Sequence, residues 1–282
     1  MSLPAMTAAV VQLTSTEDVA RNLEEIRKYV CEAARAGAQI VALPENAAWM
    51  RIEAKSVCPM EPVPGDGPML TALRGIAAEA GVWLVVGSFP ESGPDAAHHY
   101  NTTVVIDGTV GTLGEVMSTY RKLHLFDIDV KDGESQRESD SIARGEAAVV
   151  ADVRGVPTGL SICYDLRFPE LYRRLVDEGA RVLMVPAAFT EFTGKDHWLV
   201  LLRARAIETQ TFVIAAGQSG FHGGKRRTFG KSTIIDPWGI PLCIAPDGPG
   251  FALARLDFSA QDRIRASLPC LQHRHPMLAP KG

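Results

Sequence analysis

The chain alternates short, almost unbroken apolar runs with stretches of helical periodicity, and it does so twice. Ala8–Leu13 reads as a buried strand. Val19, Leu23, Ile26 and Val30 then recur every three or four residues, and Gly37 closes that helix. Ser15 with Asp18 reads as a capping box at its start. Ile40–Leu43 is the next apolar run. A helix over Met69–Ala80, stopped by Gly81, leads into a strand at Val82–Gly87. Asn101–Ile106 and Glu115–Arg121 read as strands around an Asp107-Gly108 turn, and the polar stretch Lys131–Glu146 as a long loop. The second half repeats the order: strand Thr158–Cys163, helix Pro169–Glu178, strand Val182–Val185, helix His197–Thr209, strand Phe212–Ala216. Ser232–Ile235, a Pro237-Trp238-Gly239 turn and Phe251–Leu256 supply the last β segments. This alternation predicts an α/β layered fold. The likeness of the halves predicts a four-layer αββα sandwich of two mixed β-sheets flanked by helices. No linker or low-complexity tract divides the chain, so residues 1–282 are expected to form a single domain.

Composition narrows the function classes. The net charge is -4 with 22% charged residues, which argues against nucleic-acid and membrane-surface partners, since both favour a basic patch. No run approaches the ~20 apolar residues of a membrane span, and the opening segment lacks the marks of a secretory signal. The five cysteines are odd in number and widely spaced, which predicts neither a disulfide framework nor a zinc ribbon. A cytoplasmic protein is expected.

Two polar residues, Cys163 and Glu45, stand where apolar strands stop, and Lys122 is a third candidate. Cys163 follows Thr158–Ile162, and ligands of open α/β sheets bind beyond such strand ends. A nearby helix N-terminus would favour its thiolate; packing as a buried thiol is the alternative. Glu45 follows Ile40–Pro44, where burial would raise its pKa toward a general base's range; a capping or salt-bridged role is the alternative. Lys122 lies in Thr119–Asp127, where an ammonium beside the sulfur would stabilise an oxyanion, although exposed lysines are common.

Leu43-Pro44-Glu45, Tyr120-Arg121-Lys122 and Cys163–Glu170 together resemble the nitrilase superfamily of carbon–nitrogen hydrolases, in its order and rough spacing. The likeness continues through Leu202–Gln210 and Asp236–Gly239. It implies a Glu45–Lys122–Cys163 triad, the αββα sandwich, and a homodimer or larger homo-oligomer. Arg137-Glu138-Ser139 looks like the loop glutamate many members place beside the triad, with Glu138 positioning substrate or Lys122; a solvated loop charge is the alternative. Gln136–Ser139, Ala187–Thr190 with Gly194 and His197-Trp198, Arg203–Gln210 and Gln272–Pro276 are similar to the branch that hydrolyses deaminated glutathione.

The resemblance implies hydrolysis of a small-molecule amide to acid and ammonia through a cysteine thioester, with no metal and no cofactor. Tyr164, Arg167, Phe189, Thr190 and Trp198 are the candidate substrate-binding residues. Arg167 would pair with a substrate carboxylate, or with Asp165 or Glu170; the aromatics would line a pocket or pack the core. The alternatives are an ω-amidase on α-keto acid amides, a carbamoyl-amine hydrolase or nitrilase, and an inactive binding protein on the same fold. A Cys–His hydrolase using His124 is a rival mechanism. His98-His99 and His273/His275 lack the spacing of helical metal ligands. The Phe221–Arg227 segment reads as a loop of unassigned role.

Overall fold

A computed structural model of the chain describes residues 3–53, 55–128, 136–275 and 277. The first half runs β1 (Met6–Gln12), α1 (Val19–Arg35), β2 (Ile40–Ala42), α2 (Pro68–Ala80), β3 (Trp83–Ser92), β4 (His99–Asp107) and β5 (Glu115–Arg121). Short strands β6 (Asp127–Ile128), β7 (Gln136–Arg137) and β8 (Ile142–Ala143) follow. The second half runs β9 (Val150–Val153), β10 (Val156–Leu160), α3 (Pro169–Asp177), β11 (Val182–Met184), α4 (Glu191–Thr209) and β12 (Phe212–Ala215). It ends with β13 (Ser219–Gly223), β14 (Arg226–Phe229), β15 (Thr233–Ile235), β16 (Pro241–Ile244), β17 (Gly250–Leu256) and α5 (Phe258–Ser267).

One sheet has the order β17-β1-β2-β3-β4-β5, with β8 added beside β4; the other has the order β16-β15-β12-β11-β10-β9. Each has three parallel strands at its heart, β1-β2-β3 and β10-β11-β12, flanked by antiparallel ones. Side chains alternate faces along a strand, so a strand buried on both sides must be apolar at every position. Ala8, Val10, Ile40, Ala42 and Val85 point between the sheets, where they meet Leu160, Ile162, Val182, Met184 and Ile214 of the other sheet. Their neighbours Ala9, Val11, Val41 and Leu84 point outward and are covered by Ile26 and Val30 of α1 and Leu70 and Leu73 of α2. On the far side, Leu183, Val185, Val213 and Ala215 meet Leu171 and Leu175 of α3 and Trp198 and Leu202 of α4. The layers are therefore α-β-β-α, as expected from the sequence.

Several boundaries differ from the sequence reading. The N-cap of α1 is Asp18 alone, accepting from Arg21 N at 3.1 Å; Ser15 instead donates to Ala47 O at 2.7 Å, so the two form no capping box. Helix α4 starts at Glu191, capped by Thr190, six positions before the expected His197, because its first turn packs on the β13–β14 hairpin rather than showing an apolar stripe. Strand β10 stops at Leu160. The Lys131–Glu146 stretch lies partly outside the described residues; from Gln136 it forms β7, a 3-10 turn over Glu138–Asp140, and β8. Phe221–Arg227 is a hairpin turn between β13 and β14, and α5 was not visible as a pattern. Among the described residues, no helix is long and apolar enough to cross a membrane.

Candidate active site

Glu45, Lys122 and Cys163 come from three separate strand ends and meet at the C-terminal edge of the parallel strands. Leu43 N donates to Val85 O at 2.9 Å, which holds the chain leaving β2 in the plane of the sheet and delivers Glu45 beside it. Lys122 follows β5 directly, and its N–H donates to Asn101 O at 2.9 Å. After β10, Ser161 ties down the next turn by donating to Met184 O at 2.7 Å. Cys163 then opens a 3-10 turn over Cys163–Arg167 with φ 49°, a left-handed conformation uncommon for a residue with a Cβ. Its N–H donates to Pro186 O at 2.8 Å. A strained residue held by its surroundings at a strand end is a mark of functional sites.

The polar contacts are dense. Lys122 is fully buried, and its Nζ lies 3.0 Å from Glu45 Oε1 and 2.9 and 2.8 Å from the two oxygens of Glu138. Glu45 also accepts from Asn101 Nδ2 at 3.0 Å and from Ala188 N at 2.9 Å. The Cys163 sulfur lies close enough to Glu45 and to the Ala188 N–H to feel both. Glu138 is oriented by Phe126, whose N–H donates to Oε2 at 2.8 Å. Glu138 thus sits against Lys122, so it is no solvated loop charge.

The electrostatics correct two expectations. Burial pushes the Cys163 thiol well up, and the Glu45 charge adds to this, outweighing Lys122; the resting sulfur is a thiol. Burial also acts to raise Glu45, but the Lys122 charge and the hydrogen bonds from Cys163 and Lys122 outweigh it, so Glu45 is held below its usual value as a carboxylate. Burial acts to lower Lys122, yet the charges of Glu138 and Glu45 keep it an ammonium, with its pKa well above the ordinary value. The resting arrangement is therefore a protonated sulfur facing an ionised acceptor.

A second network fixes the turn. Asp165 is fully buried and accepts from Tyr120 OH at 2.7 Å, Ile162 N at 2.9 Å and His124 N at 3.0 Å, with His124 Nδ1 at 2.7 Å. His124 is also stacked on Phe168 at 3.7 Å. His124 is thus a brace for the turn that carries Cys163. With Asp165 so engaged, Arg167 lies over the Phe189 and Tyr164 rings, with Nη1 3.3 Å from His197 Nδ1.

A cavity of about 240 Å³ opens onto Cys163, Glu45 and Glu138. Tyr164, Arg167, Phe189 and Thr190 line it, as proposed from sequence, together with Phe126 and Ala188. Trp198 does not. It is 1% exposed, packs on Phe189 and donates Nε1–H to Lys231 O at 3.0 Å, so it belongs to the core beneath the cavity. The cationic side of the cavity, Lys225, Arg226 and Arg227, escaped the sequence reading, as did Asn101 and the Ala188 N–H. The run of three basic residues was visible; a strand Asn and a backbone amide carry no sequence signal. Among the described residues, no cluster of three or more His, Cys, Asp or Glu is placed to hold a metal.

Residues 7–266 match the carbon-nitrogen hydrolase family, and the chain belongs to it. Its chemistry is thus hydrolysis of a carbon–nitrogen bond other than a peptide bond, and the nitrilase-superfamily resemblance holds. The chain is 41% identical over 276 residues to the deaminated glutathione amidase of Bos taurus, spanning 96% of this chain and 82% of that one. Its fold matches the crystal structure of the Caenorhabditis elegans NitFhit protein with a TM-score of 0.89 at 33% identity, over 99% of this chain and 67% of that one. An amidase from Nesterenkonia sp. AN1, a variant of which carries acrylamide added to its active-site cysteine, matches with a TM-score of 0.76 at 28% identity, over 95% of this chain and 99% of that one.

Proposed function

We propose that the protein is a deaminated glutathione amidase whose catalytic residues are Cys163, Glu45, Lys122 and Glu138. The observation that carries this reading is a cavity in which Cys163 meets an ionised Glu45 that Lys122 itself holds at 3.0 Å. Glu45 takes the thiol proton as the sulfur attacks the amide carbon. That transfer moves a proton within the site without changing its net charge, so it needs no new counter-ion in a buried place. Lys122, with the Tyr164 backbone N–H, stabilises the oxyanion. The proton on Glu45 passes to the departing nitrogen as the C–N bond breaks, leaving a thioester. Glu45 then deprotonates water, which attacks the thioester carbon; the C–S bond breaks, the acid leaves and the sulfur regains the proton.

The leaving group corrects one expectation. The amide of deaminated glutathione joins the acyl group to a dipeptide nitrogen, so a dipeptide amine departs; ammonia departs only from primary amides. Arg167, fixed against Phe189 and four positions beyond Cys163, suits a carboxylate on the acyl side. The exposed apolar side chains of Val200, Ile207, Trp238 and Ile240 support a homo-oligomer. Five unpaired cysteines suit a reducing, cytoplasmic setting.

The test is release of the 2-oxo acid from deaminated glutathione and from α-ketoglutaramate by wild type and Cys163→Ala. The variant is expected to lose activity by more than about 10⁴-fold, the scale seen when a covalent nucleophile is removed. Wild-type preference for the primary amide would move the assignment to an ω-amidase. Undiminished turnover by the variant would overturn the mechanism.

A further inference from the structure

We propose that the β13–β14 hairpin is a carboxylate clamp, in which Arg226 and Arg227 bind a carboxylate on the leaving-group side of the substrate and so select dianionic amides. This rests on the amidase reading of the Cys163 site and adds the residues that select the leaving group.

The hairpin is built into the site. Its turn needs Gly223 and Gly224, with φ 123° and 56°; a Cβ on Gly223 would meet Ile52 at 3.2 Å. The register shifts between Phe221 and Gly223, so His222 falls in the irregularity and turns inward. There His222 Nδ1 lies 2.8 Å from Ser15 O and Nε2 lies 2.7 Å from Thr228 Oγ1. Ser15 N in turn donates to Gln218 Oε1, and Gln218 Nε2 donates to Glu45 O at 3.0 Å. On the other side, Thr228 bridges Thr190, and Phe229 N donates to Phe189 O at 3.0 Å. The segment that holds Glu45 through Ala188 and lines the cavity through Phe189 therefore also carries the hairpin.

This anchoring places the arginines. Both line the cavity, and the positive charge of Arg226 is felt at Glu45. Arg226 donates one N–H to Arg51 O at 3.3 Å, and the Arg227 guanidinium lies over the Phe221 ring at 5.1 Å. Each guanidinium has five donors in a planar fork, suited to a carboxylate. Among the described lining residues, Glu45 and Glu138 are committed to Lys122, and Glu191 faces the guanidiniums of Arg167, Arg226 and Arg227. A cavity with that balance attracts anions. Arg167 follows the nucleophile in the chain, whereas the hairpin stands on a different element of the wall. Two cationic positions on separate elements fit a substrate with a carboxylate at each end.

The test uses three amides of one 2-oxo acid: deaminated glutathione, the same compound with its terminal carboxylate converted to a carboxamide, and the primary amide. Wild type is expected to favour the first over the second by at least about 10-fold in kcat/KM, the worth of one charge-assisted contact. In the double variant Arg226→Gln, Arg227→Gln that ratio should collapse toward unity, with the loss in KM, and Arg227→Lys should restore it only in part. Equal losses on the first two substrates, or a ratio that persists in the double variant, would overturn the clamp. Wild-type turnover without preference would overturn the clamp alone. Wild-type inactivity on all three would overturn the amidase assignment beneath it.

Discussion

Glu138 grips Lys122 with both carboxylate oxygens, at 2.9 and 2.8 Å from Nζ. The ammonium therefore balances two carboxylates. In Glu138→Gln it would be offset by Glu45 alone, so Glu45 would hold the thiol proton less readily. kcat is expected to fall about 10²-fold with the circular dichroism spectrum unchanged, comparable to losing one oriented electrostatic contact in an active site. Steady-state kinetics decide between this and a substrate-positioning role, which would appear in KM.

The Tyr120–Asp165 pair should matter for stability and for Cys163 alike. Tyr120→Phe removes a 2.7 Å bond to a buried carboxylate that keeps its other partners. A loss of about 1.5–3 kcal/mol is expected from urea denaturation. Asp165→Ala strips acceptors from Tyr120, His124 and Ile162 N at once and should cost more. A variant that keeps wild-type stability and activity would remove the turn-bracing role.

His99 makes the fold acid-sensitive. Burial, then the Arg51 charge, lowers its pKa to about 4 from the ordinary 6.5, against an opposing hydrogen bond with Ser141. The unfolded chain binds the His99 proton first as pH falls, so this stability is complete above pH 6.5 and is lost between 6.5 and about 4. The linked change is about 3 kcal/mol. Urea midpoints at pH 7.5 and 4.5 should therefore differ less in His99→Asn than in wild type; equal differences would sink the idea.

Gly87 is a close-approach point. A Cβ there would press into Leu43 O and Pro186 Cβ, between the strand end that delivers Glu45 and the carbonyl that holds Cys163 N. Gly87→Ala should cost about 1–3 kcal/mol through overpacking, and should lower kcat by more than the folded fraction alone explains. Activity corrected for folded protein tests this.

Much of the architecture was legible in the pattern. Apolar runs such as Ile40–Leu43, separated by helical repeats, leave a strand no exposed face, and that forces helices onto both outer surfaces. Glu45 and Cys163 were legible too, because each stands where such a run stops; Lys122, after the polar strand Glu115–Arg121, was legible only through the family motif. Trp198 was misjudged because an aromatic beside a motif reads the same whether it faces a cavity or the core. The hairpin at Phe221–Arg227 was missed because glycines obscure the strand pattern around the turn.

Residue order thus dictated layers, strand ends and the identities of Cys163, Glu45 and Lys122. Their protonation states were decided only in three dimensions. Burial, then the Glu45 charge, keeps Cys163 a thiol, while the Lys122 charge and donors from across the fold keep Glu45 a carboxylate; Ala188 N–H lies 143 positions from the carboxylate it holds. Local periodicity encodes which side of a strand is buried, since neighbours in the chain decide it. A pKa is set by distance in space and by exclusion of water, and neither is a property of adjacent residues.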